Sequence, residues 1–143
     1  KVISLVGGKV RKFLMNDKCA AGTGKFLEIM ADRMGVSQEE MANLARAGQP
    51  TPISSMCTVF AESEVISLIG KGEPRENIAN GVIESVCSRV ATLAGGMAGQ
   101  DCYLTGGLCE NAYVVERLSS HLSRSVSTCP EARFAGAIGA ALS

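Results

Sequence analysis

Tryptophan is absent from this chain, histidine occurs once, and Phe and Tyr together make up only 4% of its 143 residues. With 14 basic against 14 acidic residues the formal charge is zero. Such a chain has neither the basic stripe that neutralises phosphates nor the rings that stack on bases, which argues against a nucleic-acid partner. No apolar stretch reaches the roughly 18 residues that a bilayer span requires, and no basic segment followed by an apolar core stands at the N-terminus. The chain reads as cytoplasmic, with no membrane partner. No CxxC pair occurs, so the usual zinc-ribbon and ferredoxin spacings are missing. There is likewise no GxxxxGK[ST] run and no GxGxxG.

Apolar residues, by contrast, make up 46% of the sequence, enough for one domain with its own core. A core of that size needs no covalent staples. Cys19, Cys57, Cys87, Cys102, Cys109 and Cys129 are therefore expected as free thiols or metal ligands, not disulfides. Cys87 is expected inside a long helix and Cys102 in a buried strand, both as core thiols, with Cys109 and Cys129 in loops.

Alternating Val2, Ser4 and Val6, a Gly7-Gly8 turn and a second run from Val10 to Met15 predict a hairpin. It begins abruptly at Lys1, as if an earlier strand had been cut away, which suggests a fragment of a longer protein. Phe26, Leu27, Met30, Ala31 and Met34 recur at helical spacing and stop at Gly35. Ser37 to Glu40 reads as a capping box opening a helix that Gly48 ends. Residues 51–56 read as extended or loop. A third helix is expected from near Phe60 to Gly70, with Glu62 and Glu64 in its first turns favouring its N-terminal end; Glu64 could alternatively reach a nucleotide. Pro74 precedes a long helix whose face runs Ile78, Val82, Val86, Val90, Leu93, Met97. Asp101 to Thr105 reads as a short buried strand, Asn111 as cap of the helix carrying Val114, Val115 and Leu118, and Ser125 to Thr128 as a brief strand. Ala135 to Leu142 is a small-residue helix. His121, near a helix end, reads as a solvated or dipole-facing residue.

Two stretches carry chemistry. In Asn16-Asp17-Lys18-Cys19-Ala20-Ala21-Gly22-Thr23-Gly24-Lys25-Phe26 a cysteine and a glycine-rich turn run directly into an apolar helix. The unpaired amides and positive dipole end there favour a thiolate, placing Cys19 for metal binding or redox chemistry. In Cys57-Thr58-Val59-Phe60-Ala61-Glu62-Ser63-Glu64 a second thiol precedes a helix. Two cysteines per chain complete a four-thiolate site only when two chains meet on a twofold axis; two unrelated buried thiols are the plainer alternative. Thr105-Gly106-Gly107, a glycine turn between strand and helix, is a candidate base or ribose contact, because no Cβ blocks the approach. Gly22, Thr23 and Gly24 either support the metal site or line the nucleotide cleft.

The blocks NDKCAAGTGKFLEIMADRMG, CTVFAESE and YLTGGLCEN resemble the ATP-dependent activator component of 2-hydroxyacyl-CoA dehydratases, related to the ATPase subunits of benzoyl-CoA reductase. The resemblance covers almost the whole chain. It implies an α/β domain of the actin-like ATPase (ribonuclease H-like) type, a mixed sheet flanked by helices. It also implies a homodimer holding one 4Fe-4S cluster through two cysteines per subunit, here Cys19 and Cys57, with ATP/ADP and Mg bound in the full-length protein. An electron donor such as ferredoxin or flavodoxin would load the cluster. ATP would then drive one low-potential electron to a separate dehydratase or related reductase component, where a thioester is reduced to a ketyl radical that can eliminate water. The family carries an upstream phosphate-loop domain that is not in this sequence, so residues 1–143 read as the C-terminal half, with the adenosine side around Gly106 and Gly107. By itself this half is expected not to hydrolyse ATP. Other readings are a cluster-free actin-like nucleotide-binding domain of a kinase or regulatory ATPase, and a dimerisation module binding zinc through the same thiols.

Overall fold

A computed structural model of the chain describes all residues except 17–19, 21–22, 55–56, 96 and 98–100. The chain opens with strands β1 (Val2–Val6) and β2 (Lys9–Leu14), paired antiparallel. Gly7 and Gly8 form the two-residue turn with φ of 57° and 75°. Two consecutive positive φ values match the right-handed twist of the flanking strands and favour glycine. A register shift between Ser4 and Leu5 interrupts the ladder, Ser4 facing Lys12 and Leu5 facing Val10.

Four helices follow: α1 (Gly24–Met34), α2 (Gln38–Ala47), α3 (Thr58–Gly70) and α4 (Arg75–Ala94). Gly35 ends α1 with φ of 65°. Ser37 and Glu40 form the reciprocal capping box of α2: the Glu40 amide donates to Ser37 Oγ at 3.1 Å, and the Ser37 amide to Glu40 Oε2 at 2.7 Å. Those bonds hold the Glu40 carboxyl below its ordinary range. The long helix is shorter than its periodicity suggests. It closes at Ala94 with Gly95 as cap, so Met97 lies beyond it.

The remainder is β3 (Cys102–Tyr103), a 3-10 turn at Gly107–Glu110, α5 (Ala112–Leu122), β4 (Val126–Ser127), a second 3-10 turn at Pro130–Phe134, and α6 (Ala135–Leu142). Asn111 caps α5, its side-chain oxygen accepting from the Val114 amide at 3.1 Å. β3 and β4 pair in parallel, Cys102 opposite Val126. Among the described residues the strands thus form two separate two-stranded ladders, one of each sense. The expected buried strand at 101–105 is only two residues long, and Tyr103 is exposed. A ladder with a single neighbour leaves one edge and much of one face uncovered.

The core is built mainly by helices. Phe26, Leu27 and Met30 of α1, Met41 and Ala45 of α2, Val65 of α3 and Val114 of α5 close around α4, which buries Ile78, Val82, Ile83 and Val86. Approach between α2 and α4 is unusually close. A Cβ on Gly81 would stand 1.9 Å from the Thr51 carbonyl oxygen, and one on Gly48 2.2 Å from the Glu76 oxygen. Residues 48–51 are stitched to α4 in the space this opens. Asn80, the one polar side chain buried among the described residues, donates to the Gly48 oxygen at 2.7 Å, and the Thr51 amide donates to the Asn77 oxygen at 3.2 Å. Glycine here is a requirement of contact, not of backbone dihedral.

α6 departs from what its composition suggests. Its small residues would permit close packing, yet all of it is exposed.

Candidate metal and nucleotide site

Cys57 is the N-cap of α3, whose first residue, Thr58, lies two residues ahead of the expected helix start near Phe60. Its φ of −92° and ψ of 136° are extended, and no side chain caps the first-turn amides. The thiol is exposed and in no disulfide. The positive dipole end of α3 therefore lies beside a sulfur that solvent or a ligand can reach. Cys19 and Gly22 lie outside the described residues.

Glu62 and Glu64 do not act through the helix dipole as expected. No acidic residue occupies the first turn of α3, and the dipole effect falls off within that turn. Instead Glu62 Oε1 accepts from Arg33 Nε of α1 at 2.6 Å. Glu64 Oε1 accepts from both the amide and the hydroxyl of Ser54, at 3.0 and 2.9 Å. The second bond set reaches back across the chain entering Cys57.

Thr23 is the N-cap of α1. Its hydroxyl donates to the Ala20 oxygen and accepts from the Phe26 amide at 3.4 Å. This is the short-range capping that places threonine at helix starts. Gly24, the first helical residue, lies beside the 3-10 turn at 107–110, since a Cβ there would be 3.6 Å from Leu108 Cγ. The start of α1 and the 3-10 turn before α5 are thus neighbours, although 83 positions separate Gly24 from Gly107. Gly106 has φ of 85°, donates to the Ala132 oxygen at 2.9 Å, and has open space where a side chain would be. Gly107 is likewise open, and Thr105 is exposed. A backbone bare of Cβ atoms on this side lets a planar or phosphorylated ligand approach closely.

Beside that turn Arg133 donates to both oxygens of Glu110, at 2.8 and 2.9 Å, and its guanidinium lies 5.0 Å from the Phe134 ring centroid. Nothing in the local spacing announces this pair, whose members are 23 residues apart. A cavity of about 200 Å³ under the α1 turn is lined by Asn16, Thr23 and Arg89. A larger cleft of about 410 Å³ lies between the end of α2, α4 and α5. Its arginines are already engaged, Arg46 with Glu116 at 2.9 Å and Arg117 with Glu84.

The other thiols separate by environment. Burial, aided by the Glu84 charge, pushes Cys87 up to about 12, so its thiol stays protonated near neutral pH. Cys102 is half-buried, not core, because β3 is short. Cys109, expected as a spare loop thiol, is buried in the 3-10 turn, while Cys129 is exposed. His121 lies in the last turn of α5 as expected, with Glu84 Oε2 2.7 Å from its Nε2. Among the described residues no group of three or more His, Cys, Asp or Glu could hold a metal ion.

The family model for the BadF/BadG/BcrA/BcrD ATPases matches residues 1–143, the whole of this sequence. The chain belongs to that ATPase family. Within it, the chain is 49% identical to the activator of lactoyl-CoA dehydratase of Anaerotignum propionicum, over 94% of this chain and 53% of that protein. Component A of the Acidaminococcus fermentans (R)-2-hydroxyglutaryl-CoA dehydratase has the same fold, with a TM-score of 0.91 at 44% identity, over 98% of this chain and 55% of the other. The Clostridium difficile activator of 2-hydroxyisocaproyl-CoA dehydratase, solved with bound ADPNP, also gives 0.91, at 37% identity, over 98% of this chain and 53% of the other. The fold is thus the actin-like α/β type of these ATPases. The chain spans about half the length of the curated relatives it matches. Among the described residues no helix is long and apolar enough to cross a membrane.

Proposed function

We propose that these residues form the cluster-bearing, adenosine-side half of an ATP-dependent activator that passes a low-potential electron to a 2-hydroxyacyl-CoA dehydratase or related reductase. The observation carrying this reading is Cys57: an exposed free thiol at the N-cap of α3, in a chain whose relatives are named dehydratase activators. Cys19 and Cys57 of two subunits would hold one 4Fe-4S cluster, which supplies one-electron chemistry when bound. The exposed Val59 and Phe60, directly after Cys57 in α3, support the homodimer, since a twofold contact at the thiols would cover them.

The nucleotide would lie against Thr23, Gly24, Thr105, Gly106 and Gly107, with the phosphate loops and Mg supplied by the other half of the protein. The closeness of the start of α1 to the 3-10 turn before α5 supports this, because one ligand there touches both. α1 is joined to α3 by the Arg33–Glu62 pair. A nucleotide-dependent shift of α1 would therefore reach the helix that Cys57 caps, giving a bistable element that ATP biases. Ferredoxin or flavodoxin is the electron donor in this reading, and the acyl-CoA is handled by the partner enzyme.

The deciding experiment measures iron and acid-labile sulfide in the anaerobically reconstituted full-length protein, beside Cys19→Ser and Cys57→Ser variants. About two irons per chain, four shared between two cysteine pairs, lost in either variant, are expected. Full iron content in both variants, or zinc in place of iron, refutes the reading.

A further inference from the structure

Glu64 stands seven residues beyond Cys57, about 10 Å along the axis of α3. Ser54 stands three residues before Cys57. Yet Glu64 Oε1 accepts from both the amide and the hydroxyl of Ser54. Helical side chains lean toward the N-terminus, which shortens the gap the carboxylate must bridge. Ser54 is thereby tied to the second turn of α3, the helix whose N-cap is Cys57.

We propose that Glu64 is a positioning residue that fixes Cys57 for the cluster; this rests on the cluster reading above. It lies beyond the first turn and so gains little from the dipole, while both donors of Ser54 reach its carboxylate. Without it the chain before Cys57 loses two charge-assisted bonds, and the Sγ position spreads over the conformations open to an exposed N-cap. Ser54 is itself exposed, so its donors can turn to water and the helix core need not collapse.

The test uses the full-length reconstituted protein with Glu64→Ala, Glu64→Gln and Ser54→Ala. Iron loss to a chelator is expected to quicken about tenfold in Glu64→Ala, with a changed electron paramagnetic resonance line shape for the reduced cluster. Glu64→Gln, which keeps an acceptor oxygen, should fall between, and Ser54→Ala should reproduce part of the effect even if Glu64→Ala fails to fold. Wild-type iron release and line shape in all three variants overturn the proposal, whatever happens to the melting temperature. If the wild-type protein takes up no iron, the cluster reading fails separately. The positioning role is then read from alkylation of Cys57 relative to the exposed Cys129: a ratio that changes severalfold in Glu64→Ala supports it, and an unchanged ratio overturns it.

Discussion

Replacing Gly81 by alanine sets two opposed effects against each other. Inside a helix, alanine is favoured over glycine by about 0.8–1 kcal/mol. The new Cβ, however, would lie 1.9 Å from the Thr51 oxygen, with the Thr51 carbonyl carbon at 3.0 Å and its nitrogen at 3.3 Å. An ordinary carbon–oxygen contact is above 3 Å, so residues 48–51 or α4 must move by more than an ångström. That movement breaks the bond from the Thr51 amide to the Asn77 oxygen and strains the one from Thr51 Oγ1 to Glu73 Oε1, now 2.5 Å. Overpacking costs about 1–3 kcal/mol, and each lost bond about 1 kcal/mol more. After the propensity gain is subtracted, Gly81→Ala is expected to destabilise by about 1–3 kcal/mol. Urea unfolding at constant m-value measures this. Gly139→Ala in α6, where nothing lies within 4 Å, is the comparison and should be neutral or slightly stabilising. A Gly81→Ala protein as stable as wild type would refute the close-approach argument. The consequence reaches the site, because the lifted strap leads directly into Ser54 and Cys57.

Two further outcomes are expected. Burial acts to raise the Glu84 carboxyl, but the bonds from Arg117 and His121 outweigh it and hold Glu84 below its ordinary 4.5. A depressed folded value contributes stability that is fully present above the unfolded value and lost as pH falls through the folded one. Urea midpoints should therefore fall less steeply below about pH 4.5 in Glu84→Gln than in wild type; parallel profiles would count against the network. Gly106→Ala meets no neighbour, so its cost comes from φ of 85° alone. That cost is about 1–3 kcal/mol by denaturant unfolding, and an unchanged midpoint would mean the turn is not held at positive φ.

Much of the local structure was legible in the sequence because its causes lie within four residues of one another. The Gly7-Gly8 turn, the Ser37–Glu40 capping box, the Asn111 cap and the Gly35 stop are all written in short-range hydrogen bonding and dihedral preference. Cys57 before a helix was legible for the same reason. The end of α4 was not: its apolar period continues to Met97, but periodicity reports which face is buried, not where the helix stops. Cys109 was misplaced because its burial comes from the packing of the two 3-10 turns, which pattern does not encode.

By itself, then, the sequence determined the helical elements, several of their caps, the thiol ahead of α3 and the family. Only the tertiary structure decided that Gly24 lies against Leu108, that Glu64 grips Ser54, and that Gly81 lets residues 48–51 touch α4. The division has a physical cause. Caps and turns are set by the dihedrals and donors of adjacent residues, whereas contacts between distant residues depend on how whole helices pack, and packing tolerates many sequences as long as the apolar faces meet.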